Sequence, residues 1–149
     1  MQEPDIYGYL GRALSLELSA VQQYLSLSSL MKIRGMPQVG EQFHHEAAQE
    51  MEHADRIIGR MLALGVAPNA SVLRPVRLDG SLPQLMGHVG RMETEIVDFY
   101  AQAVRHCSRT QDHENRIFFE SLWNEERQHA GKIDTWRQSL GEDHPAGAT

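Results

Sequence analysis

Apolar residues recur at three- and four-residue steps along most of the chain, which is the period of an α-helix rather than of a β-strand. The first such run predicts a helix over residues 5–34, and the second predicts one over residues 38–64. Two further runs predict helices over residues 82–107 and 115–140. The fold is therefore predicted to be all-α.

The breaks between these runs predict how the helices connect. Gly35 and Pro37 form a short link between the first two helices, and turn residues over 108–114 link the last two. Residues 66–81 contain two prolines and a glycine and form a much longer connection. Short links give antiparallel hairpins, and a long link can run back along a bundle. We predict one domain over the whole chain, an antiparallel four-helix bundle of two helical hairpins joined by a long crossover.

Six polar side chains interrupt the apolar stripes of these helices. A buried carboxylate is costly unless something pairs with it, so these positions are the candidates for a site. Two of the helices carry a glutamate and a histidine three residues apart, which places both on one helix face. The six residues are Glu17, Glu50, His53, Glu93, Glu126 and His129.

The spacing of these residues predicts that they meet. Each of the three in the second half of the chain lies 76 positions after its counterpart in the first half. The two glutamates of each hairpin are also symmetric about its turn, so we expect them to lie level with each other. Glu41 and His44 share the E-x-x-H spacing but have no counterpart 76 positions later. A lone motif of this kind is weak, and we expect Glu41 and His44 to lie outside the site.

Carboxylates and imidazoles without a thiolate are ligands that suit iron or manganese. Four carboxylates match the charge of two divalent ions, so we predict a two-metal site of near-neutral charge. In this arrangement Glu50 and Glu126 bridge the metals, whereas Glu17 and Glu93 each bind one. Open positions remain for oxygen or peroxide.

These motifs, together with "LELSAVQQY" and "FHHEAAQEMEHADRIIGRMLALGVAPN", resemble the ferritin-like di-iron carboxylate superfamily and, within it, the bacterioferritins, over about residues 5–136. The resemblance implies a ferroxidase, which oxidises Fe(II) with oxygen or peroxide and stores the Fe(III) as mineral inside a shell. Tyr24 and Tyr100 each follow a site glutamate by seven residues. The resemblance implies that they assist the centre as hydrogen-bond or electron donors, and packing in the core is the alternative.

Met51 matches the methionine that ligates a haem b shared across a bacterioferritin dimer, and interface packing is the alternative role. The resemblance implies a homodimer at least, with a 24-subunit cage as the larger assembly. Residues 141–149 lack the apolar periodicity of the short fifth helix of bacterioferritins, and we predict that they are disordered. His44 and Glu46 are expected on a solvated or cavity-lining face.

Composition narrows the partners of this 149-residue chain. Its formal net charge of −6 argues against nucleic acid as a partner, and no apolar run approaches the length needed to cross a membrane. The single cysteine, Cys107, excludes a disulfide framework and favours the cytoplasm.

Two other functions remain open from the sequence. One is a rubrerythrin-like peroxidase, or another di-iron oxidase, that does not store iron. Rubrerythrins usually have an extra glutamate one turn after the third-helix ligand, where this chain has Ile96. The other is a non-catalytic helical bundle that binds metal, which predicts no oxidation when Fe(II) is added.

Overall fold

Four α-helices account for most of the residues that the computed structural model describes, which are 5–69 and 72–143. The helices are α1 (Ile6–Ile33), α2 (Pro37–Ala63), α3 (Leu82–Arg109) and α4 (His113–Asp143). Within the described ranges the chain has no β-strand, and none of their helices is long and apolar enough to cross a membrane. Because α4 continues to Asp143, it includes the start of the predicted disordered tail, and residues 144–149 lie outside the described residues.

The chain divides into two compact units, residues 1–78 and 79–149. The first contains the hairpin of α1 and α2, and the second contains the hairpin of α3 and α4. The predicted connection over residues 66–81 is non-helical wherever it is described. A single domain over the whole chain stays a prediction.

Local sequence signals explain where the helices begin. Asp5 caps α1, with its side chain accepting a hydrogen bond from the backbone N–H of Gly8 at 3.0 Å. Pro37 starts α2 at a position where the missing N–H costs nothing. Ser81 and Gln84 form a capping box at the start of α3. Each signal satisfies or removes a backbone donor that the first helical turn leaves without a partner.

The two hairpin turns have the same backbone hydrogen bonds, 76 positions apart. In the first turn the N–H of Met36 donates to the carbonyl of Met31 at 2.8 Å, and in the second the N–H of Asp112 donates to Cys107 at 2.9 Å. These bonds define a Schellman motif, which satisfies the carbonyls at the end of a helix. The internal repeat therefore extends from the ligand spacing to the turns.

Equivalent aromatic pairs pack inside each hairpin. The ring centroids of Tyr24 and Phe43 lie 6.1 Å apart, and those of Tyr100 and Phe119 also lie 6.1 Å apart. All four rings are almost completely buried. Burial of an aromatic or large aliphatic side chain stabilises a fold by about 1.5–3 kcal/mol, so these pairs help to fix the register of the two helices in each hairpin.

Part of the long connection is fastened to α1. The side chain of Gln23 exchanges two hydrogen bonds of 2.8 Å with the backbone of Arg77. One turn earlier on α1, the Ser19 hydroxyl accepts a hydrogen bond of 3.0 Å from the N–H of Arg74. Gln23 and Ser19 are buried, so the contacts also satisfy polar groups that would otherwise be costly.

Candidate metal centre

The first three predicted ligands meet inside the hairpin of α1 and α2. Glu17 comes from α1, and Glu50 and His53 come from adjacent turns of α2. Each offers a ligand atom within 4.8 Å of those of the other two, and the two carboxylates are completely buried. His53 Nδ1 lies 3.1 Å from Glu17 Oε2 and 3.9 Å from Glu50 Oε1. We call these three residues the first half-site.

The corresponding residues of α3 and α4 meet in the same way. Glu93, Glu126 and His129 each offer a ligand atom within 4.8 Å of the others. His129 Nδ1 lies 3.4 Å from Glu93 Oε2 and 3.7 Å from Glu126 Oε2. All three side chains are buried. We call these three residues the second half-site.

The donor chemistry of both half-sites fits a divalent metal ion. Each brings two buried carboxylates and one buried imidazole to a single point, and a divalent cation there would balance the two negative charges. Oxygen and imidazole ligands without a thiolate are typical of iron and manganese sites. A chain that buried this set only for packing would bear the cost of desolvating four carboxylates.

Tyr24 and Tyr100 lie two helical turns beyond the glutamates of α1 and α3, towards the hairpin turns. Their rings pack against Phe43 and Phe119. These contacts give both tyrosines a place in the core, and their assistance to a metal centre stays a prediction.

Met51 follows Glu50 directly but points elsewhere, since consecutive residues of a helix differ by about 100° in direction. Its side chain is 50% exposed, whereas that of Glu50 is 0% exposed. Met51 is therefore accessible from outside the first unit, as a ligand for a shared haem would need to be.

Glu41 and His44 lie outside the first half-site, as the lack of a counterpart 76 positions later predicted. Glu41 forms an ion pair with Lys32 at 2.9 Å, and both side chains are substantially exposed. The hydrogen bond and the positive charge of Lys32 hold the pKa of Glu41 below its ordinary value. His44 is also exposed, so neither residue joins the first half-site.

The prediction for Glu46 was wrong. Its side chain is only 5% exposed, and it accepts a hydrogen bond of 2.6 Å from Gln42 Nε2. The sequence contains the signal that would have placed it, because Glu46 precedes Glu50 by four residues and His53 by seven. These spacings put all three on one helix face.

The model of the ferritin-like domain family matches residues 8–141 of this chain. Bacterioferritin from Rhodobacter capsulatus is 30% identical over 89% of this chain and 83% of its own length. A bacterial ferritin from Synechocystis is 27% identical over 86% of this chain and 83% of its own length.

The chain is also similar to a solved structure of Rhodobacter capsulatus bacterioferritin, with a TM-score of 0.88 and 28% identity over 98% of this chain and 92% of that one. That structure is described as having a metal-free dinuclear site and a haem iron in a crystallographic special position. The similarity confirms the predicted four-helix bundle of two hairpins with a long crossover.

Proposed function

We propose, since the chain belongs to the ferritin-like family, that it is a ferroxidase that oxidises Fe(II) with oxygen or peroxide and stores the iron. One observation carries the proposal, namely the two buried half-sites with the same three ligand types at the same spacing. The dinuclear site of the related Rhodobacter protein supports the proposal that the two half-sites act together on a pair of iron ions.

The six proposed ligands have different roles in binding the pair of iron ions. In each half-site two carboxylates neutralise the charge of an Fe(II) ion, while the imidazole supplies a nitrogen ligand. Their burial excludes bulk water, so the metal would be held by protein atoms rather than by a hydration shell. Glu50 and Glu126, which share a helix with the histidine of their half-site, are the residues that we propose as bridges.

The oxidation balances with two Fe(II) ions as substrate. Together they lose two electrons and become two Fe(III) ions, and these electrons with two protons reduce oxygen to hydrogen peroxide or reduce peroxide to two water molecules. The protein contributes by placing both ions within reach of one oxidant. We propose that Tyr24 and Tyr100 assist from the adjacent core by donating a hydrogen bond or an electron.

An oxidase that stores no iron is the second candidate. Ile96, one helical turn after Glu93, is 1% exposed and supplies no further carboxylate to the second half-site. This apolar position favours the ferroxidase over a rubrerythrin-like peroxidase.

Aerobic addition of Fe(II), followed by absorbance on the species isolated by size-exclusion chromatography, tests the function. We expect rapid oxidation that continues with added iron, and loss of the rapid phase in Glu50→Ala. Oxidation that stops at two iron ions per chain would support the oxidase without storage. No oxidation by the wild-type chain would contradict both enzymes and leave a metal-binding bundle.

The same chromatography tests the proposed assembly. A homodimer is the smallest assembly that we propose, and a 24-subunit cage is the larger one. A monomer would contradict both. The cytoplasmic location stays a prediction.

We further propose that Met51 ligates haem b between two copies of the chain. The thioether is a known axial ligand of haem iron, and the exposed side chain leaves it accessible. Haem titration should give a sharpened Soret band in the wild type and a changed band in Met51→Leu. Identical spectra for the two proteins would contradict this assignment.

A further inference from the structure

A groove lies between α3 and α4, inside the second unit, and none of the six proposed ligands lines it. It encloses about 430 Å³, and ligand pockets in proteins measure about 300–1,000 Å³. Its less exposed lining residues are small or apolar and form the floor, namely Gly87, Gly90, Ala130 and Ile133. A Cβ atom on Gly90 would meet nothing within 4 Å, so the groove is open at this residue.

Two residues of this groove differ in kind from their equivalents in the first hairpin. Gly90 is equivalent to Leu14, and Arg137 is equivalent to Met61, each 76 positions earlier. Leu14 and Met61 are almost completely buried, and burial of large apolar side chains stabilises a fold. The second hairpin forgoes that stabilisation at both positions. A binding site accounts for the difference, because a ligand needs the space that a large side chain at Gly90 would occupy.

The exposed side chains of the groove include one arginine whose charge is not neutralised. Asp134 pairs with Arg137 at 2.7 Å, and its other oxygen accepts a hydrogen bond of 3.3 Å from Gln138. Arg91 has no hydrogen bond or ion pair with any residue that the structure describes. Its Nη1 atom lies 3.6 Å from the position that a Cβ atom on Gly87 would occupy, so the guanidinium lies against the floor. Two arginines and one aspartate make the groove positive, although the whole chain has a formal net charge of −6.

We propose that this groove binds a small organic anion, a carboxylate or a phosphate ester with a short apolar body. The guanidinium of Arg91 donates hydrogen bonds to the oxyanion, because its planar set of donors matches the geometry of carboxylate and phosphate groups. The apolar body lies on Gly90, Ala130 and Ile133. Since the groove contains none of the proposed metal ligands, this inference does not depend on the proposed function.

Calorimetric titration of the intact protein with benzoate and with phenyl phosphate measures binding and distinguishes the two kinds of oxyanion. We expect one site per chain for at least one of these probes. Arg91→Gln should weaken binding about tenfold, since it removes the charged hydrogen-bond donor. Arg105→Gln is the matched control, because Arg105 is also an exposed arginine of α3 but does not line the groove. It should bind both probes as the wild type does.

A second variant and two simpler probes separate the charge from the apolar surface. Gly90→Leu gives the groove the residue type of Leu14 and should abolish binding by filling the floor. Its added Cβ atom meets no other atom, so we expect the variant to unfold in one thermal transition, as the wild type does. Inorganic phosphate lacks the apolar body and benzyl alcohol lacks the charge, so each should bind the wild type about tenfold more weakly than the organic anion.

Phenylglyoxal, which modifies guanidinium groups, tests whether the groove is free in the assembled protein. Arg91 should react in the native protein and be protected by the bound anion, as measured by peptide mass. An unreactive Arg91 in the absence of anion would overturn the proposal, because another chain would then cover the groove. Equal affinities of Arg91→Gln and the wild type would also overturn it, as would binding retained in Gly90→Leu. Failure of both benzoate and phenyl phosphate to bind the wild type would do the same, whether or not the chain oxidises Fe(II).

Discussion

Gly35 and Gln111 occupy the same position in the two hairpin turns, and both have a positive φ angle, 81° and 58° respectively. Glycine adopts this left-handed conformation freely, whereas a residue with a Cβ atom is strained in it by about 1–2 kcal/mol. The second turn therefore has the same backbone conformation as the first, but with glutamine in place of the glycine that this conformation favours.

Replacing Gln111 with glycine should stabilise the protein. Relief of the backbone strain outweighs the greater freedom of glycine in the unfolded chain, and we expect a gain of about 0.5–1 kcal/mol in the free energy of unfolding. Urea denaturation measures it. The reciprocal change Gly35→Gln is the matched control and should destabilise by about 1 kcal/mol. Equal stabilities of Gln111→Gly and the wild type would show that the turn is not strained.

A second pair of substitutions tests the close approach of α1 and α2. A Cβ atom on Gly40 would lie 2.7 Å from the backbone oxygen of Ser28, so Gly40→Ala should force the helices apart and cost about 1–3 kcal/mol. Gly59 is also inside α2 but has nothing within 4 Å of such an atom. Gly59→Ala should therefore stabilise by about 0.5–1 kcal/mol, and opposite signs for the two variants in thermal unfolding are the expected result.

Metal binding should stabilise the folded chain, because a divalent ion would balance the negative charge of the buried carboxylates. A metal at one hundred times its Kd adds about 2.7 kcal/mol per site, which corresponds to a rise of roughly 5–10 °C in Tm. Calorimetry with manganese(II) measures this shift, and a chelator should reverse it. Glu50→Ala should lose most of the shift, whereas the surface variant Glu52→Gln should keep it. An equal shift in both variants would place the bound metal elsewhere.

Burial of the Cys107 thiol should make the stability of the folded chain depend on pH in the alkaline range. Its side chain is completely buried, and burial raises the pKa of the thiol from its ordinary value of 9.0 to about 11, with a smaller contribution from Asp112. The unfolded thiol therefore loses its proton at a lower pH than the folded one. Its contribution to stability should be fully present below pH 9 and decline as the pH rises towards 11.

Denaturant unfolding of the wild type and Cys107→Ala from pH 8 to 10.5 checks this dependence. The wild type should lose more free energy of unfolding over this range than the variant does. Parallel pH profiles would contradict the raised pKa. The choice of alanine introduces a constant loss from the smaller side chain, but not a slope with pH.

The sequence predicted the six candidate ligands because two signals coincided at them. Carboxylates such as Glu17 interrupt an apolar stripe, and the repeat of 76 positions links each half-site to the other. The structure brings each half-site together within its own hairpin. The family match and the similarity to a solved structure confirm the predicted four-helix bundle.

Three features could not be predicted from the pattern of apolar and polar residues, because they depend on how the helices pack and end. Glu46 has polar neighbours along the chain, which suggested a solvated face, yet its helical position makes it buried. Gln111 gave no sign of a positive φ angle, because the turn geometry is imposed by the helices on either side. The last helix was predicted to end at residue 140, whereas α4 continues to Asp143.

An anomalous-scattering map at the iron edge, measured on crystals soaked anaerobically in Fe(II), would show directly where iron binds. We expect two iron peaks per chain, one bound by Glu17, Glu50 and His53 and the other by Glu93, Glu126 and His129. No iron at these residues, or a single ion that leaves either set unused, would contradict this expectation.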